Sequence, residues 1–211
     1  MTSDEPVTGP AYRLSTPRLL IRCPDPLDAP ELDLAIRQNL DHLLPWLLWA
    51  KDEPVSFEKR IEFLQHTRGE FDLGINFGYL IFNRAETILI GGAGLNTRLG
   101  QGVREIGYWI HKDHINVGYA TEAAAALTKV AFEVDHVNRV EIHCNPLNTR
   151  SASIPRKLGF IHEVTLHNRD KDIHGNLRDT MVWTLFEENY PTSPAAKIVI
   201  QAYDVIGRGI L

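Results

Sequence analysis

Only two cysteines, Cys23 and Cys144, occur in 211 residues. With no C-x-x-C spacing they offer no zinc clasp, and they read as reduced thiols of a cytosolic protein. No apolar run approaches the roughly 20 residues of a membrane span. The opening "MTSDEPVTGP" is polar and acidic, unlike a secretion signal. Basic residues are also scarce: 22 Lys and Arg stand against 27 Asp and Glu, for a net charge of −5. That balance argues against a nucleic-acid surface and suits a cationic partner. The chain has no repeat and no low-complexity tract. What remains is ordinary globular composition, 44% apolar and 23% charged, long enough for one domain with a sizeable core.

Apolar periodicity places the elements. "RLLIRC" (Arg18 to Cys23) reads as a strand. "DAPELDLAIRQNLDHLL" carries Leu32, Ala35, Ile36, Leu40, Leu43 and Leu44 at helical spacing. Ser56 is an N-cap signal for a second helix, with Phe57, Ile61, Leu64 and Phe71 expected inward. "FGYLIFN" and "TILIGGAGLN" form an antiparallel hairpin, and "VREIGYWIH" is a third strand. Ala120 to about Val134 reads as a helix facing inward through Ala124, Leu127, Ala131 and Val134. "RVEIHC" follows as a strand, so strand, helix and strand make a parallel crossover. "SASIPRKLG" is a short helix closed by Gly159, and Pro155 fits it only if the helix begins near Ser151. "FIHEVTLHN" and "RDTMVWTLF" complete the sheet.

One stretch carries chemistry. Glu105 sits near the start of a strand that runs into the turn "NVGYATEA" and then a helix. A helix N-terminus presents unpaired N–H groups and partial positive charge, which suits phosphate. Gly118 permits positive φ and close backbone approach. Asn148 and Ser151 follow the carboxyl end of the next strand, where open α/β sheets bind ligands. His111 and His114 are spaced like metal ligands on a helix, but their segment is a strand-to-turn region without a third ligand. They are expected at the surface, with no metal bound.

The pieces "EIGYWI", "GYATEA" and "NRVEIHCNPLNTRSASIPRKLGF", in that order, resemble the centre of the GNAT N-acetyltransferases. With "TPRLLIR" and "HLLPWLLWA" upstream, the chain is similar to the ribosomal-protein N-terminal acetyltransferases of the RimJ/RimL type over about residues 14–188. The resemblance implies an α/β (α+β) fold, a mixed and largely antiparallel sheet with a splayed parallel strand pair, flanked by helices. It also implies acetyl-CoA as cosubstrate. Cofactor contacts are expected from the backbone around Trp109 and Ile110, from the loop Asn116, Val117, Gly118, Tyr119, Ala120 and Thr121, and from Asn148, Ser151 and Arg156. The family's loop pattern begins with Gln or Arg, whereas this chain has Ile115, with Asn116 and Val117 in place of a glycine and a lysine. Lys112, Arg150, Arg156 and Lys157 are candidates for the missing positive charge.

By the same resemblance, Glu105 is the candidate base, acting through water, and Ser151 the candidate acid toward sulfur. Trp46, Trp49 and Tyr108 are expected on the acceptor side. Each has a plainer alternative: Glu105 as an exposed charge, Ser151 as the cap of its helix, the tryptophans as core. The implied acceptor is an amine, either a protein N-terminus or a small molecule such as an amino acid, polyamine or antibiotic; a CoA-binding scaffold without turnover is the remaining alternative. The expected division is a flexible arm over 1–11, one acetyltransferase domain over 12–190, and an apolar extension over 191–211 that docks on this domain or at a dimer contact. The protein is expected in the cytoplasm as a monomer or homodimer, without nucleic acid or membrane.

Overall fold

The computed structural model describes residues 9–211. Most of the expected arm, residues 1–8, lies outside the described residues. Ala11 is buried and its carbonyl accepts a hydrogen bond from Tyr79 Oη at 2.9 Å, so the packed chain begins ahead of Tyr12.

Among the described residues, nine strands form one sheet. They are β1 (Arg13–Ser15), β2 (Leu19–Arg22), β3 (Phe77–Asn83), β4 (Leu89–Asn96), β5 (Val103–Ile110), β6 (Arg139–Cys144), β7 (Ile161–Lys171), β8 (Leu177–Phe186) and β9 (Gln201–Tyr203). Their spatial order is β7-β8-β6-β5-β4-β3-β2-β1-β9. Every neighbouring pair is antiparallel except β5 and β6. β9 lies within the C-terminal extension and pairs with β1, matching Leu14 to Ala202.

The helices are α1 (Ala29–Leu43), α2 (Phe57–Asp72), α3 (Tyr119–Glu133) and α4 (Thr149–Leu158). α1 and α2 cover one face of the sheet over a core of Leu20, Leu32, Ile36, Leu64, Leu80 and Phe82. α3 and α4 cover the other face, where Ile106, Leu127, Val140, Ile142 and Leu158 meet. α3 is buried almost all round, as its run of alanines allows. Ser56 caps α2 by accepting from Lys59 N. The inward face of α2 differs from expectation. Phe57 is exposed over 44% of its surface, and Arg60 is buried instead, paired with Glu53 Oε2 at 2.6 Å. A helix can turn a cation inward where a buried carboxylate awaits it.

Two further expectations are corrected around α4. Its cap is Asn148, whose side chain accepts from Ser151 N at 3.1 Å, so Ser151 lies inside the helix. Pro155 therefore sits beyond the first turn. Proline has no N–H to give the carbonyl four residues back, and Tyr108 Oη lies 3.3 Å from the Ser151 carbonyl, where it donates the substitute hydrogen bond.

Candidate active site

The parallel pairing of β5 and β6 is short: Val103 with Arg139, Arg104 with Val140 and Glu105 with Glu141. β5 then follows β4 as far as Ile110, and β6 follows β8 as far as Cys144. The strands part, and a cleft of about 1160 Å³ opens from the gap. A smaller hollow of about 560 Å³, lined by Tyr12, Arg84 and Tyr203 among others, lies at the other end of the sheet.

His111 N donates to Ile90 O on β4 at 2.7 Å. By the two-residue alternation of an antiparallel ladder, Trp109 N–H also turns to β4. The N–H groups of Tyr108 and Ile110 then face the gap. Of the expected backbone pair, the Ile110 N–H faces the gap and the Trp109 N–H does not, while the Trp109 side chain lines the cleft.

The loop between β5 and α3 has an uncommon backbone. Asn116 has φ of 63° and Gly118 φ of 89°, both left-handed. α3 starts directly after Gly118 with no side-chain cap, leaving its first N–H groups without a side-chain acceptor. Two side chains brace the loop. Buried Asn39 of α1 accepts from Lys112 N at 2.6 Å. From the β1–β2 turn, Arg18 Nη1 donates to the Val117 carbonyl at 2.8 Å and its Nε to Glu122 at 2.6 Å. Thr16 Oγ1 also donates to Glu122, at 2.6 Å. The Arg18 guanidinium lies over the Tyr119 ring, 4.8 Å from its centre.

Asn116, Gly118, Tyr119, Ala120 and Thr121 all line the cleft, as do Asn148 and Ser151, whereas Val117 does not. Arg150 and Lys157 bring positive charge to it. Arg156 does not; it is turned away, with its guanidinium 5.6 Å from the centre of the Trp183 ring. Helical periodicity puts neighbours 156 and 157 on different faces, and only Lys157 faces the gap. Burial lowers the His42 pKa, with Arg150 and Lys112 adding to the effect, a sign of positive potential at this wall.

Glu105 is 5% exposed, against its plainer reading as a surface charge. Arg98 grips both of its oxygens. Tyr108 Oη lies 3.2 Å from Ser151 Oγ as well as near the Ser151 carbonyl. Burial pushes the Tyr108 hydroxyl far above its ordinary pKa, against a smaller opposing effect of the Ser151 hydrogen bond. Trp46 and Trp49 stand on the opposite wall, and the Trp46 carbonyl faces Arg178. His111 is not at the surface; it is buried and caps its turn by accepting from Asp113 N.

Sequence reasoning passed over Arg18, Asn39 and Arg98, each of which acts from a separate element. For Arg18 the signal lay in "TPRL", read only as the start of a strand. For Tyr108 and Ser151 it lay in the proline four residues after a serine.

A strand pair that parts beside an uncapped helix N-terminus agrees with the comparison to known sequences. Residues 18–161 match the Acetyltransferase (GNAT) domain. This chain belongs to the GNAT acetyltransferase family. It is 34% identical over 149 residues to a Bacillus subtilis (strain 168) protein named "Putative ribosomal N-acetyltransferase YdaF", covering 69% of this chain and 79% of that one. The GNAT fold is shared with RimL, a ribosomal L7/L12 alpha-N-protein acetyltransferase solved in complex with coenzyme A, at a TM-score of 0.73 and 21% identity over 81% of this chain and 95% of that one. A ribosomal-protein-S5-alanine acetyltransferase from Vibrio fischeri gives a TM-score of 0.70 and 19% identity, with 82% and 94% covered. The protein is thus a GNAT N-acetyltransferase. Among the described residues no helix is long and apolar enough to cross a membrane, and no group of metal-ligating side chains gathers.

Proposed function

We propose that this GNAT enzyme transfers acetyl from acetyl-CoA to the α-amine of a protein N-terminus of ribosomal type. The carrying observation is the cleft between β5 and β6, joined to the left-handed loop and the bare N-terminus of α3. Backbone N–H groups from Gly118 onward would hold the pyrophosphate, with Arg150 and Lys157 adding charge. Asn148 and Ser151 would line the pantetheine arm. The Tyr108 and Ile110 N–H groups would meet the charge that develops on the thioester oxygen.

Strand alternation divides the work between two faces. Tyr108, expected on the acceptor side, points instead with Cys144 to the α3–α4 side, as their partners in the core there show. Glu105 and Trp109 point to the α1–α2 side, where Trp109 packs. The amine would arrive from the α1 side, past Trp46 and Trp49, and the thiolate would leave toward Ser151. Ser151 Oγ, in contact with Tyr108, would supply the sulfur with a proton. With both oxygens held by Arg98, Glu105 is better suited to fix an ammonium by its charge than to take its proton.

The test is mass spectrometry of short peptides bearing ribosomal-protein N-termini, incubated with acetyl-CoA and the enzyme. Acetylation of the α-amine is expected. Its absence across the panel, with thiol released on small amines instead, would replace the protein acceptor by an amino acid, polyamine or antibiotic.

A further inference from the structure

The last paired step of β5 and β6 sets two carboxylates side by side, because Glu105 and Glu141 are register partners. Both are buried. Carboxylates so placed disfavour each other's ionisation unless cations intervene, and each has one. Arg98 holds Glu105, and Arg139 Nε donates to Glu141 at 2.8 Å. Burial alone would raise the Glu141 carboxyl, but hydrogen bonds from Arg139 and His143 outweigh it and hold the group below its ordinary value.

His143 is the fifth member. Two residues along β6 from Glu141, it shares the same face. Its Nε2 is 2.7 Å from Glu141 Oε2, and its Nδ1 is 3.9 Å from Glu105 Oε1. It lines the cleft with its side chain 21% exposed. On the flanking strands, Thr184 of β8 lies opposite Glu141 and bonds Glu163 of β7. Asp170 and Arg178 pair at the mouth, and His42 faces the cleft from α1.

The two arginines balance the two carboxylates, so the imidazole is the group here with a lone pair to give. An ionised carboxylate only accepts, so Nε2 carries the hydrogen toward Glu141 and Nδ1 is the bare nitrogen. We propose that His143, oriented by Glu141, accepts the proton of the acceptor amine, and that Glu105, held in place by Arg98, accepts a hydrogen bond from the ammonium. This deepens the reading of the cleft as an amine acetylation site and rests on it. An ammonium at about 2.8 Å from Nδ1 also reaches Glu105 Oε1, because those two atoms are close together. Of the two protons the ammonium sheds, His143 takes one and releases it to solvent. The other ends on sulfur as the nitrogen–carbon bond forms and the carbon–sulfur bond breaks. Glu141 is a positioning residue, since it acts through the ring.

The experiment has two arms on the full chain. Nitrogen-15 NMR of the His143 ring, with CoA bound and no acceptor present, is expected to show the Nε2–H form, with the bias lost in Glu141→Gln. An Nδ1–H ring in the wild type overturns the proposal whether or not any peptide is turned over. With a peptide that the wild type acetylates, His143→Gln is expected to lower kcat/KM about 100-fold and flatten the acid limb of the pH profile, with CoA affinity kept within about twofold. Retained activity with an unshifted acid limb would also overturn it. If no peptide is acetylated, the acceptor reading fails, while the ring tautomer still decides the state of His143.

Discussion

Replacing Gly118 by valine tests the proposed phosphate cradle at its left-handed glycine. The glycine has φ of 89° and ψ of 5°. A side chain in that left-handed region costs about 1–2 kcal/mol, and a β-branched one lies at the upper end. An added Cβ would also stand 3.3 Å from Arg18 Nη2. The same guanidinium holds the Val117 carbonyl, and its displacement adds about 1 kcal/mol once its exposure to solvent is counted. The sum is about 2–3 kcal/mol. If the loop keeps its shape, stability bears the cost, and at about 2–4 °C per kcal/mol the melting temperature falls by roughly 4–12 °C. If the loop relaxes to negative φ, the cost moves to the cofactor, and affinity falls roughly 30- to 150-fold. Calorimetric titration with acetyl-CoA and thermal unfolding read the two together. Gly175, with φ of 84° in open surroundings between β7 and β8, supplies the control: Gly175→Ala should lose stability and keep its affinity. Unchanged Tm and Kd in Gly118→Val would refute the reasoning, as would an equal loss of affinity in the control.

The proposed thiol side of the cleft makes a separable case. Ser151→Ala is expected to lower kcat by about 10- to 100-fold with little change in the KM for acetyl-CoA. Tyr108→Phe, if the hydroxyl serves chiefly to replace the hydrogen bond that Pro155 cannot make, costs about 1 kcal/mol of stability and leaves the rate nearly intact; steady-state kinetics and thermal melts check both. Far from the cleft, Arg60→Ala leaves Glu53 buried without its cation and should cost about 3–5 kcal/mol. The double change Arg60→Met with Glu53→Gln should recover much of the lost melting temperature, and a single variant as stable as the wild type would contradict the buried pairing.

The elements of this protein were legible because their signals are local. Short apolar runs marked β2 to β6, alanine spacing marked α3, and Ser56 marked the start of α2. Gly118 was legible as a left-handed turn, and its φ agrees. The start of α4 was misjudged because proline was assigned to the first turn. What tolerates Pro155 further along is Tyr108, 43 residues upstream of Ser151 on strand β5, which bonds the Ser151 carbonyl. Arg156 was misplaced by one position for a related reason, since charge composition does not say which side of a helix meets a cleft. β1 and β9 are three residues each, too short for any periodicity.

Composition and spacing by themselves determined the succession of helices and strands, the glycine turn before α3, and the order of motifs that marks the family. These depend on each residue and its near neighbours along the chain. Where β5 and β6 part, which residues meet at that step, and which arginine neutralises which carboxylate were decided only by the tertiary structure. Glu105, Glu141 and His143 come from two strands separated by the whole of α3, and Arg98 and Arg18 reach them and the loop from elsewhere. Hydrogen bonds and ion pairs act over a few ångströms, so only the closed sheet brings these groups within range of one another.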